Sequence, residues 1–198
     1  MSSEEEPVAA SQSRVDRLSE LLNIGAGHAA GALAFLLGRT FWMRVPRALR
    51  VGADAAPPAL EVGPRREIAS GAALLFEVDG SLGGIVALFL PGASLQALES
   101  RLLGAEAETH PELVESALRE AGNVVVSHVC SAIADTLGAR LVPSIPVLVL
   151  EDGEAGLGAL AARRGRAWLR IESEIVDVDG DLRGLLVFLP DAPARSLA

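Results

Sequence analysis

Asp16-Arg17-Leu18-Ser19-Glu20-Leu21-Leu22-Asn23 returns one hundred residues later as Ser116-Ala117-Leu118-Arg119-Glu120-Ala121-Gly122-Asn123. At the same offset Leu18, Glu20, Asn23 and His28 coincide with Leu118, Glu120, Asn123 and His128. The match continues through Leu37-Gly38 with Leu137-Gly138, then Pro46 with Pro146, then Val78-Asp79-Gly80 with Val178-Asp179-Gly180 and Gly84 with Gly184. One residue of slippage then sets Phe89-Leu90-Pro91 on Phe188-Leu189-Pro190. Agreement spread over both halves identifies an internal duplication, and the fold must accommodate it.

Each copy opens with helical periodicity, over 13–37 and 112–137, and Gly38 and Gly138 stand where a helix end favours a left-handed residue. An extended stretch follows, through Trp42-Met43-Arg44-Val45 or Ile145-Pro146-Val147-Leu148. Loops rich in Gly and Ala are expected over 54–64 and 152–166. Both copies close on a hairpin signal. Strand-like runs flank Asp79-Gly80 and Asp179-Gly180, a pair that tolerates the positive φ of tight turns. A linking helix is expected over 93–103. The predicted fold is α+β, a pseudo-two-fold duplication of a helix–strand–hairpin unit, with a mainly antiparallel sheet and the two site helices presented outward. The expected organisation is a disordered acidic tail over 1–12 and a single domain over 13–198, made of repeats 13–104 and 111–191.

The first helix shows where chemistry can sit. At about 100° per residue, Asp16, Glu20, Asn23, Gly27 and Gly31 fall on one stripe. Leu18, Leu21, Leu22, Ala29, Ala32, Leu33 and Leu36 fall on the opposite side, so the polar stripe faces outward. In the second copy Ser116, Glu120, Asn123, Ser127 and Ser131 form the stripe, against Leu118, Ala121, Val125, Val129, Ala132 and Ile133. Beyond each Asn the stripe is small, with Gly27 and Gly31 or Ser127 and Ser131. Gly in a helix interior costs up to about 1 kcal/mol relative to Ala, so local stability does not explain the two glycines. They read as room for another surface to dock. An exposed Glu and Asn on a helix are ordinarily a solvated face. Here the pair recurs at the same place and a Pro follows each after the same spacing. Asn23 and Asn123 are also the only asparagines in the chain.

Composition narrows the classes. Half of the 198 residues are apolar and 22% are charged, an ordinary globular balance. The formal charge of −9 supplies no basic stripe for phosphate backbones, so no nucleic-acid partner is expected. All basic residues other than His are Arg. The one cysteine, Cys130, excludes an intramolecular disulfide and fits a reducing compartment. The acidic opening segment does not resemble a signal peptide, and no uninterrupted apolar run approaches the length of a membrane span. The expectation is a cytoplasmic protein without a membrane partner. His28 and His128 lie at the flank of the stripe without partner ligands, so they read as packing residues and no metal site is expected. Gly25-Ala26-Gly27-His28-Ala29-Ala30-Gly31 resembles a glycine-rich nucleotide loop, but no strand precedes it and it sits inside a helical pattern.

The combination Asp16-xxx-Glu20-xx-Asn23 with Pro46, and Ser116-xxx-Glu120-xx-Asn123 with Pro146, resembles the doubled signature of the CheC family of chemotaxis phosphatases, in the CheC/CheX/FliY group. The resemblance covers nearly all of the chain after the tail. Two intact copies distinguish it from a CheX-like pattern, where one is expected. Sites of the family commonly read Glu-x-Gly-Asn; the second copy keeps this with Gly122 and the first has Leu22. The resemblance implies a hydrolase acting on the aspartyl phosphate of a CheY-type response-regulator receiver. Asn23 and Asn123 would position the attacking water, and Glu20 and Glu120 would pair with the receiver's Lys. Asp16, Ser116, Pro46 and Pro146 complete the motif, with the prolines structural. It also implies no cofactor on this chain, with Mg²⁺ carried by the receiver. A CheD-type receptor deamidase is the implied second partner. The alternative is a weakly active or inactive binding module that regulates such a deamidase.

Overall fold

The structure is a computed structural model and describes residues 5–50, 71–108, 110–164 and 169–191. The expected loop over 54–64, the first four residues of the expected tail and the last residues of the chain lie outside the described residues. In chain order the elements are α1 (Glu5–Leu37), β1 (Phe41–Met43), β2 (Arg47–Arg50), β3 (Ala72–Gly80), β4 (Gly84–Leu90) and α2 (Gly92–Leu103). A 3₁₀ turn (Gly104–Glu108) leads to α3 (Pro111–Leu137), β5 (Leu141–Pro143), β6 (Val147–Leu150), α4 (Gly153–Arg164), β7 (Leu169–Asp177) and β8 (Arg183–Pro190). Among the described elements, a long helix, two short strands and two long strands recur in each half, while α4 between β6 and β7 and α2 after β4 belong to one half each.

Local chemistry explains the helix limits. Pro111 occupies the first turn of α3, where its missing N–H costs nothing. Gly38 and Gly138 have φ of 65° and 59°, and the Gly138 and Ala139 N–H groups bond back to the last turn of α3. One boundary moves. α1 starts at Glu5, eight residues before the expected 13, and takes in most of the span read as tail.

All eight strands form one antiparallel sheet in the order β1-β7-β8-β4-β3-β5, with β2 also on β7 and β6 also on β3. The two halves exchange strands. β1 and β2 of the first half pair with β7 of the second, and β5 and β6 of the second pair with β3 of the first. At the centre β4 pairs with β8 with Ala87 opposite Val187, the two positions that the hundred-residue offset relates. A pseudo-two-fold axis therefore passes through the middle of the sheet.

Side chains alternate across each strand. Val86 and Leu88 of β4 join the core beneath α1 and α3, while Ile85, Ala87 and Phe89 join a second core beneath α4. This sandwiching explains why every residue of β4 is buried and why its sequence is apolar without alternation. α1 and α3 cover one face, contributing Leu18, Leu22, Ala29, Leu33, Val125, Val129 and Ile133, and meet Phe76, Ile171 and Phe188 from the sheet. Each such Leu, Ile or Phe contributes roughly 1.5–3 kcal/mol by burial. α4 covers the other face with Leu157, Leu160 and Ala161.

Four expectations are corrected. The segment 152–166, read as a loop, contains α4, because its apolar residues recur at helical spacing beneath a surface of β3, β4 and β8. The single extended stretch of each copy is two short strands, broken around Pro46 and Pro146. The turn of the first hairpin is not at Asp79-Gly80, because those residues remain in β3 and pair with Val142 and Leu141 of β5. The chain reverses at 81–83 instead, whereas in the second copy Asp179-Gly180 does lie in the reversal between β7 and β8. Finally, Gln12–Leu37 of α1 is long and apolar enough to cross a membrane by length and composition. Its apolar side is spent on the protein's own core, with Leu18, Leu22, Ala26 and Ala29 at most 3% exposed.

Candidate functional site

α1 and α3 lie side by side and antiparallel. A Cβ added at Gly25 would meet Val129 Cγ1 at 2.9 Å and Ile133 Cδ1 at 3.3 Å, while Phe35 lines the same groove as Val124. Gly25 is therefore a packing glycine at the helix contact. It has no strand before it, which removes the nucleotide-loop reading of 25–31. Gly27 and Gly31 differ from it: nothing lies within 4 Å of a Cβ placed at either. Both are exposed.

The outward stripe is formed as the periodicity predicts. Asp16, Glu20, Asn23, Gly27 and Gly31 are exposed along α1, and Ser116, Glu120, Asn123 and Ser131 along α3, with Ser127 half-buried. The opposite sides are buried, apart from Leu36, which is 38% exposed near the end of α1. Glu and Asn of each pair stand about one turn apart and point away from the sheet. Gln12 Nε2 donates to Asp16 Oδ1 at 2.9 Å, one turn before Glu20. Leu22 is fully buried, so the residue that departs from the Glu-x-Gly-Asn pattern faces the core and not the stripe. Gly122, its counterpart, lies against the sheet, where a Cβ would come within 2.7 Å of Leu74 Cδ1.

The two pairs sit on either side of the groove between the helices. His28 and His128 both line that groove, exposed, with Gly27, Gly31, Ala32, Phe35 and Val124. His128 Nδ1 lies 2.8 Å from the Val124 carbonyl, so it carries the proton and donates. The histidines expected to pack at the flank are thus exposed in the groove. Asn23 and Asn123 each precede the matching histidine by five residues. At 1.5 Å rise per residue the two asparagines are offset by about 15 Å along the helices.

The prolines have an unequal setting. Pro46 is half-buried and Pro146 buried, each in the break between two short strands. Arg119, the residue before Glu120, donates from Nη1 to the Pro146 carbonyl and ties this break to α3. Arg119 also pairs with Glu115 Oε1 at 2.7 Å, one turn back. In the first copy the matching residue is Ser19, whose hydroxyl donates to Val15 O at 2.9 Å. Arg119 carries no signal of this role in the sequence, and Val45 and Ile145, expected only as parts of extended stretches, stand directly before the prolines and are 81% and 85% exposed. Their signal was present, since two apolar residues precede the two signature prolines.

One acidic group lies elsewhere. Asp177, Asp179 and Asp181 converge at the β7–β8 reversal, where Arg39 pairs with all three and Arg101 pairs with Asp181, offsetting much of their charge. It is an ion-pair network of the turn.

An eight-stranded antiparallel sheet under two antiparallel helices, each carrying an outward Glu/Asn pair, defines a protein of the CheC, CheX and FliY type of fold. Solved structures agree on the fold. Thermotoga maritima FliY is similar with a TM-score of 0.60 at 17% identity, over 94% of this chain and 91% of that one. A CheC-like superfamily protein from Shewanella sp. PV-4 gives 0.59 at 10% identity, over 87% and 97%. The CheX chain in the CheX–CheY–BeF₃–Mg²⁺ complex of Borrelia burgdorferi gives 0.57 at 13% identity, over 86% and 97%. No family model matches the chain. In sequence it is 30% identical over 145 residues to the CheY-P phosphatase CheC of Bacillus subtilis, covering 71% of this chain and 68% of that protein. The chain belongs to the CheC family.

Proposed function

We propose that this chain is a phosphatase that hydrolyses the aspartyl phosphate of a CheY-type receiver domain, with one site on α1 and one on α3. The observation that carries the reading is the pair of exposed Glu/Asn sets, Glu20 with Asn23 and Glu120 with Asn123, repeated on both helices in a chain of the CheC family. The relative in Bacillus subtilis is itself a CheY-P phosphatase. A CheX chain of the same fold forms a complex with CheY carrying BeF₃ and Mg²⁺.

Phosphoryl transfer asks little covalent chemistry of a catalyst; it asks for charge neutralisation and positioning. In this reading the receiver supplies the acyl phosphate and Mg²⁺. The neutral amide of Asn23 or Asn123 both donates and accepts hydrogen bonds, so it can hold a water in line with the phosphorus without repelling the anion. Asp there would add charge beside a dianion. Glu20 or Glu120, one turn earlier, pairs with the receiver's Lys and fixes the register of the complex more than its affinity. Good orientation of a reactant is worth up to about 7–11 kcal/mol, and fixing one water is a fraction of that. No nucleophile on this chain is required.

The test is phosphate release from a phosphorylated CheY-type receiver with Mg²⁺. Asn23→Ala with Asn123→Ala is expected to slow release by roughly a hundredfold or more, the scale of losing a positioned group. Each single variant should retain the turnover of the other site. A double variant as fast as the parent sinks the enzymatic reading.

A further inference from the structure

The Glu and Asn tips alone are a small contact. A specific protein interface covers about 800 Å² on each partner, a patch of roughly 16 Å radius. Whatever docks on a Glu/Asn pair must therefore also touch what surrounds it. Scattered exposed apolar residues are ordinary and carry no meaning singly. Val45 and Ile145 are not scattered. They are 81% and 85% exposed, occupy matching positions of the two copies, and each directly precedes the signature proline beside its own site helix.

The chain holds both residues firmly. Ser144 N–H donates to Glu77 O at 2.8 Å, Glu77 N–H donates to Ser144 Oγ at 3.0 Å, and the Ser144 hydroxyl donates to Ile145 O at 3.0 Å. On the other side Arg119 grips the Pro146 carbonyl, so Ile145 stands within one arginine's length of α3 at the residue before Glu120. In the first copy Arg44 N–H donates to Glu174 O at 2.9 Å, Ser173 Oγ donates to Arg44 O at 2.7 Å, and Arg44 Nε pairs with Glu174 Oε2 at 2.9 Å. Each loop thus fixes the backbone beside its apolar residue and leaves that side chain in water. Folding gains nothing from an exposed β-branched side chain, whereas binding gains from one already ordered, because little entropy remains to be lost.

Resting on the phosphatase reading, we infer that Val45 and Ile145 are apolar anchors for the docked receiver, one per site. The receiver's charged groups meet Glu20 or Glu120, and an apolar patch beside them closes over Val45 or Ile145. The second copy, with its loop tied by Arg119, presents the more rigid anchor.

Affinity for a CheY-type receiver loaded with beryllofluoride and Mg²⁺ tests this by titration calorimetry, using the whole chain. Val45→Ser with Ile145→Ser should weaken binding roughly tenfold or more, the scale for anchor residues at an interface. Val45→Ile with Ile145→Val should bind as the parent does, which separates an apolar contact from a disturbed loop. Leu150→Ser, at an exposed apolar residue of β6, should leave affinity unchanged. If the double Ser variant binds as the parent does, the anchor is overturned while the phosphatase reading stands. If the parent itself does not bind the loaded receiver, that reading falls and the anchor with it.

Discussion

At the scale of single residues, helical position decides which groups face water and which do not. Glu20, Asn23, Glu120 and Asn123 share an outward stripe, while Cys130, a few residues further along α3, is 2% exposed. Burial pushes the Cys130 thiol up to about 11, from an ordinary value of 9.0. The thiolate, not the thiol, reacts, so the native protein should resist a disulfide reagent at neutral pH and react at once in denaturant. A stoichiometric fast reaction of the native chain would contradict the burial. The sign of the linkage follows. The folded state holds the proton more tightly than the unfolded chain, so this stabilisation is complete below about pH 9 and is lost as pH rises towards 11. Denaturation midpoints across that window should fall more in the parent than in Cys130→Ala.

At the scale of elements, α4 is joined to the sheet by charge as well as by its apolar side. Arg170 is fully buried on β7, with both oxygens of Glu154 of α4 at 2.7 and 2.9 Å and Glu172 Oε1 at 2.5 Å. Burial works against the Arg170 charge, but the hydrogen bonds and charges of Glu154 and then Glu172 overcome it and hold the proton more firmly than water does. Two carboxylates on one buried guanidinium leave no tolerance for losing the centre. Arg170→Met should cost about 3–5 kcal/mol in urea denaturation, because Glu172 stays buried without a partner. Adding Glu154→Leu and Glu172→Leu should recover most of it. A single variant within a few tenths of a kcal/mol of the parent would mean that the group relaxes into solvent. At this same end, next to Glu154, α4 approaches β3 so closely that a Cβ on Gly153 would lie 2.5 Å from Ala73 Cβ, which fixes how the helix enters.

At the scale of the whole molecule, the exchange of strands makes each half dependent on the other. Of the pairings described, only β3 with β4 and β7 with β8 lie within one half; β1, β2, β5, β6 and the central β4–β8 ladder all cross between halves. A fragment of residues 1–108 or 111–198 therefore keeps one hairpin, and an isolated hairpin is marginal in water. Each fragment alone should show no cooperative thermal transition by circular dichroism. An equimolar mixture should recover one if the halves can still find each other. Cooperative melting of either fragment by itself would mean that the repeats fold independently.

The repeat, the helix limits at Gly38 and Gly138, and the outward Glu/Asn stripes were legible in the chain because each depends on local periodicity and local backbone preference. The family signature was legible for the same reason, since it is a matter of spacing along one helix and to one proline. The strand partners were not. Asp79-Gly80 carries a strong turn signal and is nevertheless held in β3 by β5, a segment about sixty residues away. α4 looked like a loop because its small residues show their purpose only against the sheet face they cover. Arg119 and the exposed Val45 and Ile145 acquired meaning only once the breaks at the prolines were seen beside the site helices. Local sequence determined which side of each helix could meet a partner. Non-local packing decided what stands around that side, because burial is shared between segments that are far apart in the chain.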